Sequence, residues 1–317
     1  MKKRKKHPFI RGFVGCIAVV LLIACGASFV FAGVLHGKLN YSEIEEVKHE
    51  PFREDGVKNI LLIGNDSRSA DESGRSDAMI LVSISSKTKS IHLTSLLRDI
   101  YVDIPGHDGN RLNAAYAYGG PELLMETLEE NFDISVNRYI LVNFQAFANL
   151  VDAVGGVDLE LSNEEVQYVN GYLVEYNQLE GRPEGTDYLD SSLSGNLHLN
   201  GPQALAYCRN RYIGTDFART ERQRKVISAA MKSAPLALVT NGSTLIEGIM
   251  SNITTNLTKT ELSGLMMQAP MMVGYETISG SIPLEGTYSN ANIRGMAVLE
   301  VDFETNKEYL QKEVYGK

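Results

Sequence analysis

Residues 57–97 read VKNILLIGNDSRSADESGRSDAMILVSISSKTKSIHLTSLL. Their pattern decides the fold. Val57–Ile63 is a short apolar run that ends in Gly64, the signature of a buried strand. Ala78–Ile84 and Ile91–Leu97 are the next two strands, and Lys87-Thr88-Lys89 between them is a hairpin turn. The polar stretch Ser69–Gly74 is a loop. Asp66, Asp77 and Arg98 therefore all fall at junctions between strand and loop. Functional groups of open α/β sheets gather at such junctions.

Downstream, helices alternate with strands. Asn110–Gly120 leads into a helix over Pro121–Phe132, with proline in its first turn and early glutamates. Arg138–Val142 reads as a strand, Phe144–Val154 as a helix stopped by Gly155-Gly156, and Val157–Leu161 as a strand. That alternation predicts an α/β body. Residues 162–198 carry many Gly and Asn residues, which predicts an irregular excursion or lid. Beyond Ala230 the pattern weakens: Ala234–Thr240, Leu245–Met250 and Lys259–Met267 look helical, Tyr275–Ile282 extended, and Phe303–Val314 a polar terminal helix.

The charge is unevenly distributed. The first 38 residues hold seven basic side chains and no acid, which leaves −16 on the rest of a chain whose net charge is −9. So acidic a body argues against nucleic acid as a partner. Phe13–Leu35 is 23 residues without a charge, long enough to span a bilayer. The basic residues before it place the N-terminus in the cytoplasm and the body outside. Two other readings compete with an uncleaved anchor: a cleaved signal peptide, and a lipoprotein signal at Leu22-Ile23-Ala24-Cys25. Apolar residues continue for ten positions past Cys25, which favours the anchor. The predicted organisation is a cytoplasmic tail (1–12), a transmembrane anchor (13–35), a polar tether (36–56) and an extracytoplasmic body (57–317). Cys208 is the body's lone cysteine, so no disulfide braces it, and the thiol reads as a packed residue.

Chemistry concentrates in Ala206–Ile227, AYCRNRYIGTDFARTERQRKVI. Six basic residues stand there against Asp216 and Glu221. Such a guanidinium surplus in an acidic protein calls for an anion, or else for a solvated charged face. Arg209 and Arg211 are two apart, so an extended segment would present both on one side. Asp216 would cap a following helix, whose Arg219, Arg222, Gln223 and Val226 share a face. The result would be a phosphate cradle, which suits the planar fork of arginine. His92, His107 and His198 share no metal-ligand spacing, and neither a phosphate-binding P-loop nor a GxGxxG is present.

Taken together, NILLIGNDSR (59–68), GRSDAMILVSI (74–84), LLRDIYVDIPG (96–106), LNAAYAYGG (112–120), VNFQAFANLVDAVGGVDLEL (142–161), HLNGPQALAYCRNR (198–211) and DFARTERQRKVI (216–227) resemble the LytR-CpsA-Psr family of bacterial envelope proteins. The resemblance implies an α-β-α sandwich around a mixed sheet, with an apolar cavity for a lipid tail. It implies a phosphotransferase that moves a glycopolymer, such as wall teichoic acid or a capsular polysaccharide, from a polyprenyl-pyrophosphate carrier to peptidoglycan. Under it, Asp66 and Asp77 would hold Mg²⁺ (or Mn²⁺), and Arg75, Arg98, Arg209, Arg211, Arg219 and Gln223 would bind the pyrophosphate. Arg98, Arg219 and Asp216 would be the groups that act in transfer. Leu97, Asn65 and Ala218 depart from the family's usual residues without removing a charge. Two alternatives use the same residues: a pyrophosphatase, with water in place of the sugar hydroxyl, and a non-catalytic regulator that binds polyprenyl phosphates.

Overall fold

The computed structural model describes residues 33, 36–37, 39–42, 44, 56–65, 76–249, 253–272 and 274–316. The basic tail, nearly all of the 13–35 segment and most of the tether lie outside the described residues, as do Asp66 and Arg75. Among the described residues, no helix is long and apolar enough to cross a membrane.

The centre is a seven-stranded mixed sheet. Strands β2 (Val57–Asn65), β3 (Ser76–Ser85) and β4 (Ser90–Leu96) form the expected antiparallel meander. On the far side of β2, β7 (Tyr139–Asn143) runs parallel, followed by β10 (Ile253–Thr255) and the short edge strand β1 (Asn40–Tyr41). At the opposite edge β11 (Glu276–Ile282) lies parallel to β4.

Side chains alternate across the pleat, and each set meets its own helices. Leu61, Ile63, Met79 and Leu81 pack with Leu124, Leu128 and Phe132 of α1 (Leu112–Phe132) and with Leu310 of α7 (Phe303–Leu310). From the other face, Leu62, Ile80, Val82 and Leu93 meet Ile227 and Met231 of α5 (Asp216–Ile249) and Met272 of α6 (Lys259–Met272). Helices thus cover both faces of the sheet. The first of them starts earlier than Pro121. It runs from Leu112 and is broken at Gly119 and Gly120, the latter at φ 65°. The residue before a proline is disfavoured in the α region, and Gly120 breaks the helix at a positive φ that glycine accepts without a side-chain clash.

A second core sits beside the sandwich and corrects the reading of residues 162–198. Asn163–Leu179 is helix α3, started by a capping box in which Ser162 accepts from the Glu165 backbone and Glu165 accepts from that of Ser162. Gly195–Leu199 is strand β9, paired antiparallel with β8 (Val157–Leu161). Val166, Val169 and Leu173 of α3 pack with Leu159, Leu199, Tyr207 and Val226. The many polar residues of the segment disguised a helix that buries only one narrow stripe. Two further differences lie downstream. The separate helices expected at Ala234–Thr240 and from Leu245 belong to one continuous α5, while the one expected from Lys259 is α6; residues 288–301 form a hairpin, β12 (Tyr288–Ile293) with β13 (Met296–Val301), that periodicity alone did not suggest.

Candidate active site

Strand directions bring the site together. The C-terminal ends of β2, β4 and β7 and the start of β3 share one edge of the sheet, because β3 is antiparallel to β2 and β4 while β7 is parallel to β2. At that edge the β2–β3 register slips: Gly64 faces Ala78 and Asn65 faces Ser76, so Asp77 is the extra residue of a β-bulge. Bulges of this kind re-aim a side chain next to a site.

Arg98, just past β4, donates from Nη1 to Asp77 Oδ1 at 2.7 Å. Arg211 donates from Nη2 to Asp77 Oδ2 at 2.9 Å. Arg219, on the first turn of α5, reaches the Asp77 backbone carbonyl at 3.4 Å and the Asp216 carboxylate at 3.3 Å. Two guanidiniums therefore meet the Asp77 carboxylate, and a third meets the backbone carbonyl of the same residue. Arg209 lies over the Phe144 ring at 4.5 Å and over Tyr172 at 5.6 Å. Gly64, Asp77, Phe144, Tyr172, Arg209, Arg211, Tyr212, Arg219 and Gln223 line one cavity of about 560 Å³.

The cavity combines one carboxylate with several enclosed guanidiniums. Burial pushes the Asp77 carboxyl up, but its bond to Arg98 and the charges of Arg98, Arg211 and Arg219 outweigh this and hold it below the usual carboxylate range. Burial also pulls Arg219 down, and the like charges of Arg211 and Arg98 add to the pull while Asp216 opposes it. Arginine stays protonated regardless, so Arg219 is a cation held at 4% exposure. Among the described residues, the buried Nε of Arg98, Nε of Arg219 and Oε1 of Gln223 have no hydrogen-bond partner. Two of these are donors and the third, the amide oxygen, is an acceptor; buried polar atoms left unpaired are costly.

The route by which these residues arrive differs from the sequence reading. Arg209 and Arg211 are not on an extended segment. Arg209 ends helix α4 (Gly201–Arg209), which Asn200 and Gln203 start with a capping box, and Arg211 lies in the turn beyond. Asp216 is the first residue of α5, where its side chain meets Arg219. Arg222 is not in the cradle. It is buried and donates to Glu165 Oε1, Asn210 O and Ile213 O at 2.9, 3.2 and 2.7 Å. Arg224 likewise turns away, to Ser95 Oγ at 2.7 Å. Cys208 is buried, and burial pushes its thiol up, as suits an inert packed residue. Phe144, Tyr172 and Tyr212 line the cavity and were not singled out as site residues, because no residue type or spacing marks an aromatic as a rim residue before the fold is known. Among the described residues, no group of three or more His, Cys, Asp or Glu could by itself hold a metal ion.

A sequence profile of the LytR_cpsA_psr family matches residues 34–313. The chain is 34% identical over 284 residues to a polyisoprenyl-teichoic acid–peptidoglycan teichoic acid transferase, TagU, of Oceanobacillus iheyensis, covering 84% of this chain and 82% of that one. Its identity to the TagU of Bacillus cereus strain AH820 is 32% over 277 residues, 82% of each chain. Among solved structures, TagT bound to LIIa-WTA matches with a TM-score of 0.67 at 27% identity, covering 86% of this chain and 99% of that one. TagT with bound octaprenyl pyrophosphate lipid matches with a TM-score of 0.62 at 26% identity, over 86% and 97%.

Proposed function

The chain belongs to the LytR-CpsA-Psr family, and from that premise we propose that it is a phosphotransferase attaching a teichoic-acid-type glycopolymer to peptidoglycan. The donor is the polymer on a polyprenyl pyrophosphate. The observation that carries this reading is the convergence of Arg98, Arg211 and Arg219 on Asp77 around a cavity where the buried Nε of Arg98 and of Arg219 have no hydrogen-bond partner among the described residues. A pyrophosphate supplies the charge and the acceptor oxygens that these donors lack.

In this reading the acceptor hydroxyl oxygen attacks the polymer-linked phosphorus. The bond from that phosphorus to the bridging oxygen breaks, and the bridging oxygen leaves with the lipid phosphate. Phosphoryl transfer of this kind needs positioning and charge neutralisation more than covalent help. Arg98, Arg209 and Arg211 grip the non-bridging oxygens, Arg75 joining from the segment after β2. Arg219, the most enclosed, faces the charge that builds on the leaving oxygen, and Gln223 on the next turn holds a neighbouring oxygen through its amide. Asp216 fixes the Arg219 fork and offers its half-exposed carboxylate to the proton of the incoming hydroxyl.

Mg²⁺ fits the donor set. Asp77 gives one oxygen to each of two guanidiniums and keeps lone pairs free on both. Asp66 is the residue after Asn65, whose register partner Ser76 precedes Asp77. Two carboxylates with substrate phosphate completing the octahedron is the usual protein share for this ion. When bound, the ion supplies Lewis-acid neutralisation of the pyrophosphate. The body is held outside the membrane by the 13–35 anchor, which sets it beside a lipid-borne donor.

The test is to incubate the full chain in detergent with a lipid-pyrophosphate glycan, Mg²⁺ and peptidoglycan oligomers, and to weigh the acceptor by mass spectrometry. A phosphodiester-linked product that is lost in Asp77→Asn and with chelator supports the reading. Release of free polymer phosphate alone would make the protein a pyrophosphatase. Binding without any bond cleavage would make it a regulator.

A further inference from the structure

One exposed feature beside the cradle is built with more care than a surface residue needs. Tyr212 is 74% exposed, the most exposed of the large apolar or aromatic side chains among the described residues. Yet its ring is held. It stacks on Tyr168 with centroids 5.4 Å apart and planes within 8°, and it meets Tyr172 at 6.3 Å in a tilted contact. The Tyr212 ring is therefore held by two neighbours and still largely open to solvent. Tyr212 and Tyr172 also line the cavity that holds Asp77, Arg211 and Arg219.

The backbone beneath the ring is clamped. Asn210, wholly buried, accepts from the Tyr212 and Ile213 amides at 3.0 and 3.3 Å. Arg222 holds the same turn through the Asn210 and Ile213 carbonyls and ties it to Glu165 of α3. Glu165, Tyr168 and Tyr172 are spaced i, i+3 and i+7, so they share one face of α3. The buried Arg222 guanidinium, paired with Glu165, thus pins the turn to the helix that supplies the other two tyrosines.

We propose that Tyr212, backed by Tyr168 and Tyr172, is a sugar-stacking platform that receives the first pyranose ring of the donor, the one bonded to the pyrophosphate. This rests on the transfer reading above. A cavity of about 560 Å³ is more than a pyrophosphate fills. Its charged wall ends at Arg211, and the next residue in the chain is the exposed aromatic ring. Immobilised aromatic rings bind the apolar C–H face of a sugar without charge and at low entropic cost, which is how many pockets orient uncharged groups. Tyr212 would therefore select for the saccharide, while the arginines select for the phosphates.

The test uses the full chain in detergent and two probes: farnesyl pyrophosphate, and the same lipid carrying one hexose on its distal phosphate. Dissociation constants are measured by calorimetry for wild type, Tyr212→Ala and Tyr212→Phe. Loss of one stacked ring should weaken the hexose probe about tenfold in Tyr212→Ala. The bare lipid should bind that variant within about twofold of wild type, and Tyr212→Phe should hold both probes. The proposal is overturned if Tyr212→Ala leaves the hexose probe unchanged, if it weakens both probes equally, or if it raises only the KM for the peptidoglycan acceptor. Failure of wild type to bind either probe would instead remove the transfer reading, and the platform with it.

Discussion

Replacing Arg219 with alanine separates function from stability. The side chain is 4% exposed and sits within reach of two other guanidiniums, with one carboxylate contact at 3.3 Å and one carbonyl contact at 3.4 Å. Both contacts are long, and its Nε has no partner. Burial and the like charges of Arg211 and Arg98 already disfavour its cation. Removing it therefore forfeits little in the ligand-free protein and relieves repulsion. We expect the folding free energy to change by no more than about 1 kcal/mol, and Tm by no more than about 4 °C. The effect on transfer should be large, because a preorganised donor aimed at developing charge is worth about 3–4 kcal/mol, or a loss of about 10²–10³ in kcat. Two assays are needed: single-turnover transfer read by mass spectrometry, and thermal unfolding with and without farnesyl pyrophosphate. The ligand should raise the Tm of wild type and raise that of the variant less, since stabilisation follows RT ln(1 + [L]/Kd). Transfer within about tenfold of wild type would refute the assignment. A variant that unfolds at growth temperature would show Arg219 to be a structural residue instead.

Arg222→Ala should act in the opposite way, destabilising the fold by about 2 kcal/mol because it leaves the partly buried Glu165 and two carbonyls without their donor, with the loss read by urea unfolding. Glu261→Gln should likewise be costly, since it removes the charge paired with the Arg138 guanidinium, whose side chain is 6% exposed. Burial raises the Glu261 carboxyl, but Arg138 and the Thr258 amide outweigh it and hold its pKa below the ordinary 4.5. Its contribution is therefore complete above about pH 4.5 and is lost as pH falls through the lower folded value, so the wild-type-minus-variant stability gap should close only in acid. Asp77 is shifted in the same direction, and it should remain ionised down through pH 4, leaving any loss of transfer between pH 5 and 7 to other groups. Cys208 should resist thiol reagents in the folded protein and react fully in denaturant; stoichiometric labelling of the native chain would contradict its burial.

The local sequence alone determined much of the architecture. Apolar runs of strand length, the Lys87–Lys89 turn and the Gly155-Gly156 stop are short-range signals, and the meander β2–β4, the strand β7 and the helix after it all appear where they point. The arginine surplus of 206–227 and the placement of Asp77 and Arg98 at strand junctions likewise marked the site, because charge and composition need no fold to be read. What periodicity could not settle was whether polar-rich segments were ordered. Residues 163–179 looked irregular, yet they bury Val166, Val169 and Leu173 against partners from β8, β9, α4 and α5 that are distant in sequence. Nor could spacing sort one arginine from another. On the same helix Arg219 enters the cavity, Arg222 clamps a turn, and Arg224 bonds to Ser95. A helix shows its residues to every direction at once. Only the elements packed around α5, the sheet edge on one side and the α3–α4 core on another, decide which guanidinium clamps the fold and which faces the cavity.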